Sequence, residues 1–404
     1  MSVYLIVIIL IVILDFAWTQ YLSYRNRKRM SPDIPPQLEG IYNKEEYAKQ
    51  QDYQKVNSRF GLYTSLFSFV VMLIVLLLGA FGWLDELLRQ YISNEIGLTL
   101  TFFGVIYIVN DIITLPLDYY ATFVIEERFG FNKSTKVTFW LDQVKGLLLT
   151  VILGGAILAL ITWLYGTLGS YAWLYAWGAV TVFSLFMTLF YSNIIVPLFN
   201  KQTPLEAGEL RDAIESFSKK AGFAINNIYV MDASKRSSKA NAYFTGFGAK
   251  KRIVLFDTLI NDLKTDEIVA VLAHEIGHYK KKHTLQGILI SVCYTGVILF
   301  LLSLLLDNKD IAIALGGEEA SFHLGLIAFS ILFTPVSLII GIFSSIHSRK
   351  NEYQADAYAA GFGLAESLIS GLKKLSVKSL SNLNPDPLYV FFYYSHPTLL
   401  QRIE

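Results

Sequence analysis

The most reactive-looking cluster of this chain begins at His274. Residues 272–283 read Leu-Ala-His-Glu-Ile-Gly-His-Tyr-Lys-Lys-Lys-His, placing His274, Glu275 and His278 in the pattern His-Glu-x-x-His. Positions four apart lie one above the other on a helix face. The two imidazoles can therefore bind one zinc ion while the Glu275 carboxylate reaches a water on that metal, which is hydrolytic chemistry. The pattern also arises by chance on charged helices, so its context matters. Residues 262–264 lead to an N-cap expected at Thr265, Asp266 and Glu267 suit a first turn, and Lys280 to Lys282 suit a helix C-terminus. Ile268, Val269, Val271, Leu272 and Ile276 supply an apolar stripe between them.

A catalytic zinc takes three protein ligands and keeps a fourth position open. A third His ten residues after the first would fall on Thr284, and His283 is off register. The remaining candidates are His347, Glu352, Asp356 and His396. Glu352 and Asp356 stand four apart in Asn-Glu-Tyr-Gln-Ala-Asp, so both carboxylates can point one way. That spacing suits Glu352 as ligand and Asp356 as acceptor for the free ring N–H of a ligating His, with His347 as the alternative ligand. The single Cys293 excludes an internal disulfide and a site built from several thiolates.

Most of the chain around these groups reads as membrane helix. Hydrophobic residues make up 53% of the 404, and they come in long runs. About 20 apolar residues cross a bilayer as a helix, and seven stretches qualify: 3–22, 61–84, 98–124, 146–168, 172–198, 286–306 and 323–346. The first lacks a basic n-region and a small-residue cleavage site, and it reads as an anchor rather than a signal peptide. Net charge is only +1, but its distribution is uneven. If the loops alternate sides, 85–97, 169–171 and 307–322 carry only Arg89 and Lys309, and the other 32 of 34 Lys and Arg fall opposite. The positive-inside rule makes that opposite side cytoplasmic, together with the His274 helix and the stretch after the seventh span.

In chain order, residues 1–199 hold five spans and their loops, 200–285 a water-facing segment, 286–346 two spans, and 347–404 a cytosolic C-terminal segment. Asn110, Asp111 and Asp118 in the third span are expected to line a wet interior. Within 200–285 the pattern predicts a helix over 208–221 and strands over 228–231, 242–247 and 252–256, the last two joined through 248–251. The fold class expected is an all-α polytopic membrane protein with a small α+β metalloprotease unit on its cytosolic side.

Taken together, residues 123–133, 197–201, 241–244 and 252–256, the His274 helix, 351–356, and Ser395-His-Pro with Arg402 resemble the zinc CAAX prenyl proteases over nearly the whole chain. That resemblance implies one zinc on His274, His278 and Glu352, Glu275 as general base and Asp356 behind a ligand. It also implies seven helices around a hydrated chamber, a gluzincin-like site at the cytosolic rim, and catalytic roles for His396 and Arg402. Of these two, the resemblance assigns stabilisation of an oxyanion or capture of a terminal carboxylate. Asn241, Ala242, Tyr243 and Phe244 would form an edge strand that pairs with an extended substrate.

The expected partners are the bilayer and a peptide, prenylated or not, with no nucleic acid and with a monomer as the working oligomeric state. The brief 307–322 loop and the absence of a retrieval signal favour a bacterial inner membrane over the endoplasmic reticulum, and there the task could be turnover of membrane peptides. A transporter or receptor with a structural metal site, and a lipid hydrolase, are the readings from other classes.

Overall fold

A computed structural model of the chain describes residues 2–404 apart from 224, 226, 246–251 and 307 and the side chain of 37. It is an all-α polytopic membrane protein carrying one small sheet. Five helices are long and apolar enough to cross a membrane: Val3–Lys28, Lys44–Leu77, Glu95–Phe129, Lys136–Phe199 and His283–Ser303. A sixth candidate is the pair Phe322–Leu332 and Thr334–Ala360, bent by 55°.

That count differs from the seven expected stretches for one reason. The 64-residue run Lys136–Phe199 contains both 146–168 and 172–198. It turns at Gly169, whose φ of 54° lies in the left-handed region that glycine enters without penalty. Its two halves, Gly155–Leu168 and Ala172–Ile194, then pack against each other.

One end of the bundle is held by backbone contact and by a buried Asp–His hydrogen bond. Helix Ala80–Arg89 presents Gly82 to the turn at Gly316, where an added Cβ would lie 1.9 Å from the Gly316 carbonyl carbon. One turn on, the Asp85 carboxylate accepts from His323 Nε2 at 2.6 Å and from Arg89 Nε at 3.0 Å. Asp85 and His323 are 1% and 0% exposed, and the imidazole also meets the hydroxyls of Thr99 at 3.3 Å and Ser321 at 3.2 Å, so the whole group is satisfied inside the protein.

The water-facing unit holds a four-stranded sheet in the order β1-β2-β4-β3: β1 Gln202–Pro204, β2 Ile228–Met231, β3 Ala242–Thr245 and β4 Arg252–Phe256. β2 and β4 run parallel, while β1 and β3 flank them antiparallel. Ile253, Val254 and Leu255 are fully buried, as a continuous apolar run in a central strand should be. Helix Glu209–Lys220 and the His274 helix, Thr265–Lys280, cover one face through Ile214, Ile228, Ile253, Leu255, Ile268 and Leu272. The strand expected over 242–247 is present to Thr245, and its last two residues and the 248–251 connection lie outside the described residues. The start of the expected 307–322 loop, residue 307, does so too.

Candidate metal centre

Two helices make the site. The first, Thr265–Lys280, begins one residue earlier than expected: Lys264 is its N-cap, and Glu267 Oε2 accepts from the Lys264 N–H at 2.8 Å. Glu267 is fixed in turn by Lys374 Nζ at 2.7 Å and by Ser370 Oγ at 2.7 Å, both on helix Ala365–Lys378. The second, Thr334–Ala360, is the longer arm of the bent apolar pair and carries Glu352 and Asp356. The two helices cross where Gly277 faces Ala355, so the imidazoles and carboxylates of both project into one space.

His274, His278 and Glu352 converge there, with ligand-type atoms all within 4.8 Å of one another. His274 Nε2 is 3.1 Å from His278 Nε2 and 3.5 Å from Glu352 Oε2, and His278 Nε2 is 3.3 Å from Glu352 Oε1. Two ligands on one tetrahedral ion with bonds of about 2.0–2.1 Å stand roughly 3.3 Å apart, so the donor set has the size and chemistry of a zinc site. Glu352 Oε2, buried, has no hydrogen-bond partner among the described residues, as an oxygen awaiting a cation would. His347 is not part of this group, and its Nε2 is buried without a hydrogen-bond partner among the described residues.

The far nitrogen of His274 is held by Asp356, whose Oδ1 lies 2.8 Å from His274 Nδ1. Arg402, on the short C-terminal helix Leu399–Ile403, closes a fork on that same carboxylate, Nη2 to Oδ1 at 2.6 Å and Nε to Oδ2 at 2.9 Å. Its Nη1 is 3.8 Å from Glu352 Oε2. The guanidinium thus stands behind the ligands, with Nε and Nη2 engaged by Asp356 and Nη1 turned toward Glu352. Burial alone would keep His274 neutral, but the neighbouring carboxylates of Asp356 and then Glu352 outweigh it and push its pKa up to about 9 in the absence of metal.

A cavity of about 350 Å³ opens on this group, lined by Glu275, Phe244, Asn351 and His396 as well as the three ligand-type residues. Burial raises the Glu275 carboxyl above its ordinary range, partly offset by the neighbouring His274 and His278. His396, with an exposed side chain, brings Nε2 to 3.4 Å from Glu352 Oε1. Phe244 comes from β3, whose Ala242, Tyr243 and Phe244 pair with β4 on one side only. Asn241 precedes the strand, and its Oδ1 caps the Ala242 N–H at 2.8 Å. No described strand occupies the outer edge of β3. Across the sheet, an apolar cavity of about 630 Å³ lies between β3 and residues 187–200 at the end of the fifth apolar stretch, and Phe244 lines both cavities. In the third apolar stretch Asp111 is half-buried and Asp118 exposed.

His283, set aside as a ligand because it is off register, sits behind His278 and not at the metal position. A residue five after another points off the face of a continuous helix. The helix, however, ends at Lys280, and Lys282 at φ 61° turns the next helix back. A non-glycine residue forced left-handed leaves little trace in a sequence.

Comparison with known proteins places this geometry in context. Residues 23–201 match the model of the CAAX prenyl protease N-terminal region, described as five membrane helices, and residues 204–404 match peptidase family M48. CAAX prenyl protease 1 of Saccharomyces cerevisiae is 36% identical over 97% of this chain and 92% of its own length. The human CAAX prenyl protease 1 homologue is 32% identical over 97% and 94%. The crystal structure of Ste24p from S. mikatae superposes with a TM-score of 0.95 at 34% identity, covering 100% of this chain and 99% of that one.

Proposed function

We propose, for a chain that belongs to peptidase family M48 and is an integral-membrane metalloendopeptidase of the CAAX prenyl protease type, that its metal is a single zinc ion held by His274, His278 and Glu352. When bound, zinc supplies Lewis acidity to a carbonyl oxygen and to water at this site. The observation that carries the reading is the convergence of two imidazoles and a distant carboxylate at ligand spacing beside Glu275.

Glu275 is the general base: its carboxylate takes the proton of the attacking water and delivers it to the leaving amine. Its elevated pKa moves it toward the poise such a shuttle needs. His396, at the cavity mouth, donates to the oxyanion. Asp356, backed by Arg402, fixes the tautomer and orientation of His274. The open edge of β3 from Ala242 to Phe244 takes the substrate as an added strand, with Asn241 ordering its start.

The substrate is a peptide carrying a prenyl group near its C-terminus, as the names of the relatives indicate for those proteins. An apolar cavity that shares Phe244 with the cavity at the metal side supports a substrate with a large apolar group near the scissile bond. The asymmetry of Lys and Arg supports a site facing the cytosol, in the endoplasmic reticulum of a eukaryote or the inner membrane of a bacterium. Mass spectrometry of products from one peptide in prenylated and unprenylated forms tests the reading. Cleavage of the prenylated form alone, lost in Glu275→Gln, is expected. Equal cleavage of both would move the assignment to general turnover of membrane peptides.

A further inference from the structure

His283 stands behind His278, on the side away from His274 and Glu352. Its Nδ1 lies 3.0 Å from His278 Nδ1, and its Nε2 lies 2.9 Å from the Gln354 side-chain oxygen. A neutral imidazole carries one N–H and one lone pair, and an amide oxygen can only accept. Facing that oxygen, His283 must carry its proton on Nε2, which leaves a lone pair on Nδ1. The 3.0 Å contact is then a hydrogen bond only when His278 bears its own proton on Nδ1. His278 is left with a lone pair on Nε2, the atom 3.1 Å from His274 Nε2 and 3.3 Å from Glu352 Oε1.

We propose that Gln354 and His283 form a two-step relay that sets the tautomer of His278 for metal binding, making His283 a positioning residue for the site. The inference rests on the reading of His278 as a ligand. With the Gln354 amide turned over, the same chain of bonds would put a proton on His278 Nε2, where it would block the ion. The two ligating imidazoles are therefore oriented by different chemistry. His274 leans on a carboxylate already matched by Arg402, whereas His278 leans on a neutral ring, which orients it without adding a second negative charge beside Glu352. His283 cannot be a further ligand in this arrangement, because it meets His278 at the nitrogen turned away from the ion. The relay is local: Gln354 lies two residues from Glu352 on the same helix, so the segment that supplies the carboxylate also sets the second imidazole.

The test is zinc affinity of the detergent-solubilised full-length chain, measured by competition with a chromophoric chelator. His283→Ala is expected to weaken zinc binding about 10–100-fold, and His283→Asn, whose side-chain oxygen can take the place of Nδ1 as acceptor, to restore most of it. Wild-type affinity in His283→Ala, or an affinity in His283→Asn as poor as in His283→Ala, overturns the relay. Should His283→Ala fail to fold, Gln354→Leu against Gln354→Glu decides: weakening by Leu alone supports it, and equal affinities overturn it. His278→Ala separates the two levels, since retained zinc in that variant would refute the ligand assignment itself.

Discussion

Gly277 and Ala355 meet backbone to backbone: a Cβ built on Gly277 would lie 3.1 Å from the Ala355 Cα and 3.2 Å from its carbonyl oxygen. The glycine of His-Glu-Ile-Gly-His is thus the point at which the two ligand-bearing helices touch. Gly277→Ala gains helix propensity but must push backbone aside, and overpacking of this kind costs about 1–3 kcal/mol. It is expected to lower the melting temperature and, by moving Glu352 away from the imidazoles, the zinc content per chain. A melting temperature and zinc content equal to wild type would show that the helix contact does not set the ligand spacing.

The Asp356 carboxylate is shared by His274 and Arg402, and removing either support should act on the metal before it acts on the fold. Asp356→Asn keeps the shape but weakens the acceptor, with an expected loss of about 10–100-fold in zinc affinity. Arg402→Lys keeps charge without the planar fork and should cost less than Arg402→Ala, which leaves a carboxylate facing His274 with no cation behind it. Chelator competition on the three variants checks that order.

Part of this site was legible because its residues fall into two local pairs. His274 with His278, and Glu352 with Asp356, each stand four apart, and a helix aligns such pairs whatever the rest of the chain does. The long-range meeting of the two pairs is not written in either segment. It follows from the bend between Leu332 and Thr334, after which the helix Thr334–Ala360 runs on to pack against the His274 helix of the water-facing unit. Thr334-Pro335 was the available signal, since a residue before proline resists helical geometry. β1 escaped notice because it has three residues and ends in Pro204. Arg402 was identified as a residue of the site, but its place behind Asp356 depends on a short helix docked from the chain's end.

Metal and proton compete for His274. Its pKa in the metal-free protein is raised from 6.5 to about 9 despite burial, by Asp356 and then Glu352. A group whose pKa is raised on folding contributes stability that is complete below about pH 6.5 and is lost as pH rises through about 9. The chelated protein should therefore lose thermal stability across that window. Zinc binding at pH 7.5 should release a proton from this ring, and zinc affinity should climb toward pH 9. Calorimetry in buffers of different ionisation enthalpy reads the proton directly. No buffer dependence would mean that the ring is already neutral in the metal-free site.

At the other end of the bundle, Asp85 and His323 give a control that separates fold from chemistry. Both are fully buried, and Asp85 also anchors Arg89. His323→Leu leaves the carboxylate with only Arg89 and Asp85→Leu leaves the imidazole with only the Thr99 and Ser321 hydroxyls, and a buried polar group that loses its main partner costs about 1–3 kcal/mol. Both variants are expected to melt earlier while binding zinc as the wild type does at a temperature where they are folded. A loss of zinc affinity there would reveal coupling between the two ends of the bundle.

Lys282 connects the His274 helix to the following apolar helix in a conformation that a side chain resists, φ 61° and ψ 27°. Left-handed geometry costs an L-residue roughly 1–2 kcal/mol relative to the right-handed form, and glycine escapes most of that. Lys282→Gly should therefore be neutral or stabilising by up to about 1 kcal/mol and leave zinc affinity unchanged. Lys282→Val meets the same backbone with a branched side chain, and it should destabilise the chain and swing His283 away from His278. Melting curves with parallel zinc titrations distinguish the outcomes. If Gly destabilised the chain as much as Val, the turn would be held by the Lys282 side chain and not by its backbone.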